Sequence, residues 1–107
     1  MNSMNRFVRS IGQAALCGQT LDIMIPTAED ALTAQKEADH LLERLISLLP
    51  DAAFGSGLAR QCALISASVY LDGGRVFTSP QQVFEELSLG DIKFLGELCE
   101  VREGREV

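Results

Sequence analysis

Basic residues are scarce in this sequence: nine Lys and Arg stand against fifteen Asp and Glu, for a formal net charge of −6 and a pI near 4.6. A protein held to nucleic acid by phosphate neutralisation needs a surplus of cations on one face, so the balance argues against that mode and for protein partners. Histidine is nearly absent. His40, the only one, falls among Glu37, Glu43 and Arg44 at helical spacing, where surface charge pairing explains it better than acid–base catalysis. The three cysteines, Cys17, Cys62 and Cys99, are odd in number and far apart, with neither CxxC nor Cys/His metal spacing. Reduced thiols in a cytosol are the simplest account. No apolar run approaches the roughly 20 residues of a membrane-spanning helix. The N-terminal "MNSMNRFVRSIGQAALCG" holds only a broken apolar stretch, interrupted by Arg9, Ser10, Gly12 and Gln13, which is neither a secretory signal nor a span.

The motifs of catalysis are lacking too. Gly73 and Gly74 read as a turn, because no GxGxxG or GxxxxGK[ST] motif joins a strand to a helix. Glu85 with Glu86, and Glu97 with Glu100, are carboxylate pairs of the kind hydrolases use. Adjacent helical residues diverge by about 100°, however, and Arg102 lies near the second pair, so solvated helix faces account for both. Cys62 sits in an apolar stripe, where a cysteine behaves as a small hydrophobe. The expectation is a non-enzymatic protein with no cofactor and no metal.

What is present is a foldable core. Hydrophobic residues make up 47% of the chain and charged residues 22%, with mean hydropathy +0.13. At 107 residues it is long enough for one domain and too short for two that each bury a core. Phe7, Val8, Ile11, Ala14, Ala15 and Leu16 can line one side of a basic amphipathic helix. Such a helix docks on a membrane surface or a partner or, more simply, on its own domain or a second subunit.

"LDIMIP" (21–26) suits a short extended stretch, and Thr27 with Asp30 three residues on is a helix start. From Ala28 to Leu49 apolar residues recur at spacings of three and four, among them Ala31, Leu32, Ala38, Leu41, Leu42, Leu45, Ile46 and Leu48, and Pro50 ends the helix. After "PDAAFGSG", whose Gly55 and Gly57 read as a hinge or a loose first turn, residues 58–71 predict a second helix. Its stripe is Leu58, Cys62, Ile65 and Val69, flanked by Ala59, Ala63 and Ala67, small enough to admit a close neighbour and so central in the domain. Asp72, Gly73 and Gly74 make a turn, and Arg75, Val76 and Phe77 a short extended return. Ser79 as cap, Pro80 at the first helical position and Gln82 as reciprocal partner open a third helix, with Val83, Phe84 and Leu87 inward. Ser88 and Asp91 open a fourth, carried by Ile92, Leu95, Leu98 and Cys99 with Phe94 beside them.

The expected fold is mainly α, a small single-domain helical protein with about four helices and one or two short extended segments. Residues 1–20 form an N-terminal segment, helical and used in docking or self-association. Residues 21–100 form the domain, and 101–107 a polar tail that frays. A small domain this rich in apolar residues is expected to leave a helix face that a homo-oligomer covers.

The order of features, namely an extended stretch ending Ile25-Pro26-Thr27, then "AEDALTAQKEADHLL", "ARQCALISASV" and "DGGRVFTSPQQVFEELSLGDIKFLGEL", resembles the small tail assembly chaperones of long-tailed bacteriophages and prophages. The resemblance runs from about Leu21 to Leu98. It implies a cytoplasmic protein of the bacterial host that binds the tape-measure protein, helps recruit tail-tube subunits, and leaves before the tail is complete. It also implies that a programmed ribosomal frameshift yields a longer form. The partner surface would then be an apolar groove for helical stripes, with Leu41, Leu45, Leu48, Val83, Phe84, Leu87 and Phe94 including both core positions and the exposed part of that groove. Two other readings compete: a phage morphogenesis or connector component that stays in the virion, and a small bacterial regulatory adaptor that binds a partner helix.

Overall fold

The computed structural model describes residues 10–16, 18–49 and 51–105. Local chemistry sets most element starts. Thr27 Oγ1 accepts the Asp30 amide at 3.1 Å and opens α1 (Ala28–Leu48). Leu49 then turns extended, at φ −121° and ψ 133°, as a residue before proline must, although Pro50 itself lies outside the described residues. Asp51 accepts the amides of Ala53 at 3.0 Å and Phe54 at 3.3 Å and starts α2 (Ala52–Ser68). Of the two readings of this stretch, a hinge or a first turn, the helical turn holds: a capping aspartate satisfies the free amides, and Gly55 is buried where an added β-carbon would meet Leu45 and Leu42 at ordinary contact distance.

Ser79 caps α3 (Pro80–Glu86) through the Gln82 amide at 3.2 Å. The reciprocal half of the box is shifted by one residue, because Gln82 Oε1 accepts from the Thr78 amide at 2.7 Å and from Thr78 Oγ1 at 3.0 Å. Ser88 Oγ accepts the Asp91 amide at 3.1 Å at the start of α4 (Leu89–Arg105). That helix takes in positions 101–105.

The strands depart furthest from expectation. β1 (Ser10–Leu16) and β2 (Gln19–Met24) form an antiparallel hairpin, so the amphipathic-helix reading of the N-terminal segment is wrong for residues 10–16. Phe7 and Val8 lie outside the described residues. The second helix ends at Ser68 rather than 71, because Val69–Leu71 pairs with β2 as β3 and turns back into β4 (Gly74–Arg75). Asp72 at φ 52° and Gly73 at φ 84° supply the two left-handed residues that a tight hairpin of this hand needs. The result is one antiparallel sheet in the order β1-β2-β3-β4, not one or two isolated extended segments.

One face of this sheet, carrying Ala14, Leu21, Ile23 and Val69, joins the core with the helices. The other presents the row Gln13, Asp22, Tyr70 and Arg75 across the four strands, with Gln13 Nε2 donating to Asp22 at 3.0 Å. α2 is central, as its alanine flank predicts: Leu58, Ala59, Cys62, Ala63, Ile65 and Ala67 are all buried, and the helix packs on α1, α3 and α4. α1 buries Ala34, Ala38, Leu41 and Leu45 as a narrow stripe. Leu32, Ile46 and Leu48, read as part of that stripe, face outward instead. No helix among the described residues is long and apolar enough to cross a membrane.

Candidate protein-binding surface

Where the C-terminal end of α1 meets the starts of α2 and α4 and the end of α3, the helices leave an apolar groove of about 270 Å³. Buried Leu45, Leu58 and Ile92 form its floor. Leu48, Phe54 and Leu89 stand on its rim at 60%, 49% and 58% exposure, and half-buried Phe84 and Leu87 close the α3 side. A second hollow of about 480 Å³ continues between α2 and α4, sharing Phe54, Leu58 and Leu89 and adding Lys93, Arg60 and Glu100. Single exposed leucines are ordinary on a protein surface, but three large side chains gathered around one cleft are not scattered exposure. Burying each against a partner contributes on the order of 1 kcal/mol before association costs.

Charge ties the groove's walls together. Arg44 on α1 bridges Glu85 on α3 at 3.1 Å and lies 5.4 Å from the centre of the Phe84 ring. Arg60 on α2 bridges Glu100 on α4 at 2.9 Å. Both pairs are solvated, so they set geometry more than stability.

The seven residues expected to bind a partner divide in two. Leu41, Leu45 and Val83 are fully buried, core residues that no folded partner reaches. Leu45 still underlies the groove, and Leu48, Phe84 and Leu87 line it. Phe94 is 46% exposed on α4 but does not line either hollow. Sequence reasoning missed Phe54 and Leu89, the two exposed residues shared by both hollows. The signal was there: Asp51 as an N-cap places Phe54 in the first turn of a helix, and Ser88 does the same for Leu89.

The catalytic candidates do not converge. His40 is exposed on α1, whereas Cys62 is wholly buried and burial pushes its thiol up to about 12, which leaves no thiolate for nucleophilic attack. Glu85 and Glu100 are engaged by arginines and Glu86 by Gln82. Among the described residues no group of His, Cys, Asp and Glu is placed to hold a metal ion. Comparison with protein families, with curated proteins and with solved structures finds no match.

Proposed function

We propose that this protein is a non-enzymatic tail assembly chaperone that shields an apolar helical segment of a phage tape-measure protein in the host cytoplasm and helps recruit tail-tube subunits around it. The single observation that supports the reading is the groove rimmed by Leu48, Phe54 and Leu89, an open apolar cleft between rigid helices on an otherwise acidic protein. A tape-measure helix carries apolar side chains at spacings of three, four and seven, and these aggregate unless a groove takes them. The binding has to be reversible, since the chaperone must leave. A short cleft with exposed walls, rather than an enclosed cavity, suits that need.

The test is co-expression of the full chain with the tape-measure protein encoded in its own genomic neighbourhood. A soluble complex is expected, lost when Leu48 and Phe54 are both changed to Asp. A neighbourhood with no tape-measure gene, or a tape-measure protein that gains no solubility from the wild-type chain, overturns the reading.

A further inference from the structure

We propose that β1 is a dimerisation edge, across which two copies of this chain pair antiparallel through the outer side of Gly12–Leu16 and join their sheets into one. The sheet order leaves β1 with β2 on one side only, and among the described residues no strand pairs with its other side. The opposite edge, β4, is two residues long and offers little to a partner strand.

Backbone alternation says which groups are available. Leu16 and Gln19 close the β1–β2 hairpin as partners, so the turn bond directs the amide and carbonyl of Leu16 toward β2. Along an antiparallel strand these groups alternate sides. Those of Ala14 therefore also face β2, and those of Ala15 and Gln13 face outward.

Edge strands in soluble proteins are normally blunted by lysine, proline, a bulge or a covering element. "SIGQAAL" has no charge and no proline. It does carry a register irregularity between Ser10 and Gly12, which spoils pairing at the start of the strand and leaves Gly12–Leu16 regular. That regular part is centred on Ala14. A two-fold axis there sets Gln13 of each copy opposite Ala15 of the other, so all the outward groups of this stretch meet complementary ones.

Charge favours the same occupant. Copies of a chain with a net charge of −6 repel one another unless they meet along an uncharged surface. β1 supplies one, and the Asp22 carboxylate one strand inward accepts from Gln13 of the same chain at 3.0 Å. The side chains at the seam are uncharged, and two of the three are small: Ala14 on the buried face, Ala15 and Gln13 on the open one.

Sedimentation velocity of the full chain, from micromolar to sub-millimolar concentration, tests this with wild type and Ala15→Pro. The Ala15 amide faces outward, so proline removes no bond to β2 while its ring blocks a second strand. Wild type is expected to show a concentration-dependent dimer and Ala15→Pro only monomer, with the helical circular dichroism unchanged. A Gln13→Lys/Ala15→Lys double variant changes two exposed side chains and sets like charges opposite each other across the seam, so it guards against a proline variant that fails to fold. It too is expected to be monomeric. A wild-type chain that stays monomeric, or a folded edge variant that stays dimeric, overturns the proposal.

Discussion

Gly96 on α4 lies so close to Gln61 on α2 that a β-carbon at position 96 would sit 2.9 Å from Gln61 Cβ and Cγ. The crowding involves the root of the glutamine side chain, which cannot swing away. Gly96→Ala gains about 1 kcal/mol of helix propensity, but overpacking of this kind costs about 1–3 kcal/mol. The net expectation is a loss of roughly 1 kcal/mol in urea unfolding. Gly90→Ala is the control. Its added carbon meets only Ser88 Oγ, at 3.9 Å, so that variant is expected to be neutral or slightly stabilised. Equal behaviour of the two variants would contradict the close approach of α2 and α4.

Leu41 and Leu48 stand seven residues apart on α1, with opposite fates. Leu41 is 0% exposed and Leu48 60%. Leu41→Ala is expected to cost about 2–5 kcal/mol through transfer and cavity terms. Leu48→Ala stays within about 0.5 kcal/mol. In the tape-measure co-expression assay the order reverses: Leu48→Ala weakens capture of the partner, whereas Phe94→Ala, also exposed but off the groove, leaves it unchanged. Capture that survives Leu48→Ala and fails with Phe94→Ala would move the binding face to the outer side of α4.

The Cys62 thiol is raised from 9.0 to about 12 by desolvation. The unfolded thiol ionises first as pH rises, so above pH 9 the unfolded state binds fewer protons than the native state and stability falls. Below that range the group contributes no pH dependence. Between the two values the loss reaches up to about 1.4 kcal/mol per pH unit, and Cys62→Ala, which loses little volume, is expected to flatten that slope. An unchanged slope in the variant, measured by denaturant titration across this range, would place the alkaline sensitivity elsewhere.

Ser79 carries the start of α3 through one bond, its hydroxyl accepting the Gln82 amide at 3.2 Å. Ser79→Ala is expected to cost about 1 kcal/mol, and Ser79→Gly only a few tenths. Gln82→Ala removes both acceptor contacts to Thr78 and adds to the loss. Thermal melts of the three variants order them.

The proposed tail-chaperone role carries a prediction about the gene. Expressed with its downstream DNA in a bacterial host, it is expected to yield a minor product that shares this chain's N-terminal part and is extended at the C-terminus, visible by intact-mass spectrometry. A single product under native translation would weaken the chaperone reading and bring the regulatory adaptor nearly level with it.

Much of the fold was legible because it is written in short-range chemistry. Thr27, Ser79 with Pro80, and Ser88 announce their helices by a side-chain oxygen placed to take an amide a few residues ahead, and no distant contact is needed to complete that bond. The Asp72-Gly73 turn is local in the same way. The alanine flank of α2 likewise foretold a central helix, since small side chains are what close packing requires. Of the groove, the apolar periodicity of their helices picks out Leu48, Phe84 and Leu87, whereas Phe54, in the glycine-rich stretch before the second helix, and Leu89, just after the Ser88 cap, belong to no apolar stripe.

Tertiary structure decided the rest. In β1, Ile11, Ala14 and Ala15 fit a helical spacing while Gly12, Ala14 and Leu16 fit an alternating one. Pairing with β2 settles the matter, burying Ala14 beside Leu21. Val69-Tyr70-Leu71 continues the α2 stripe without interruption, and only its register against Asp22 and Ile23 turns it into a strand. On α1, Leu45, Ile46 and Leu48 are chemically alike, yet the neighbouring helices cover only the first. Where helices and turns begin follows from local sequence alone, because caps and left-handed residues act within a few positions. Which apolar residues became core, groove or sheet edge was decided by partners far along the chain, whose positions no local pattern records.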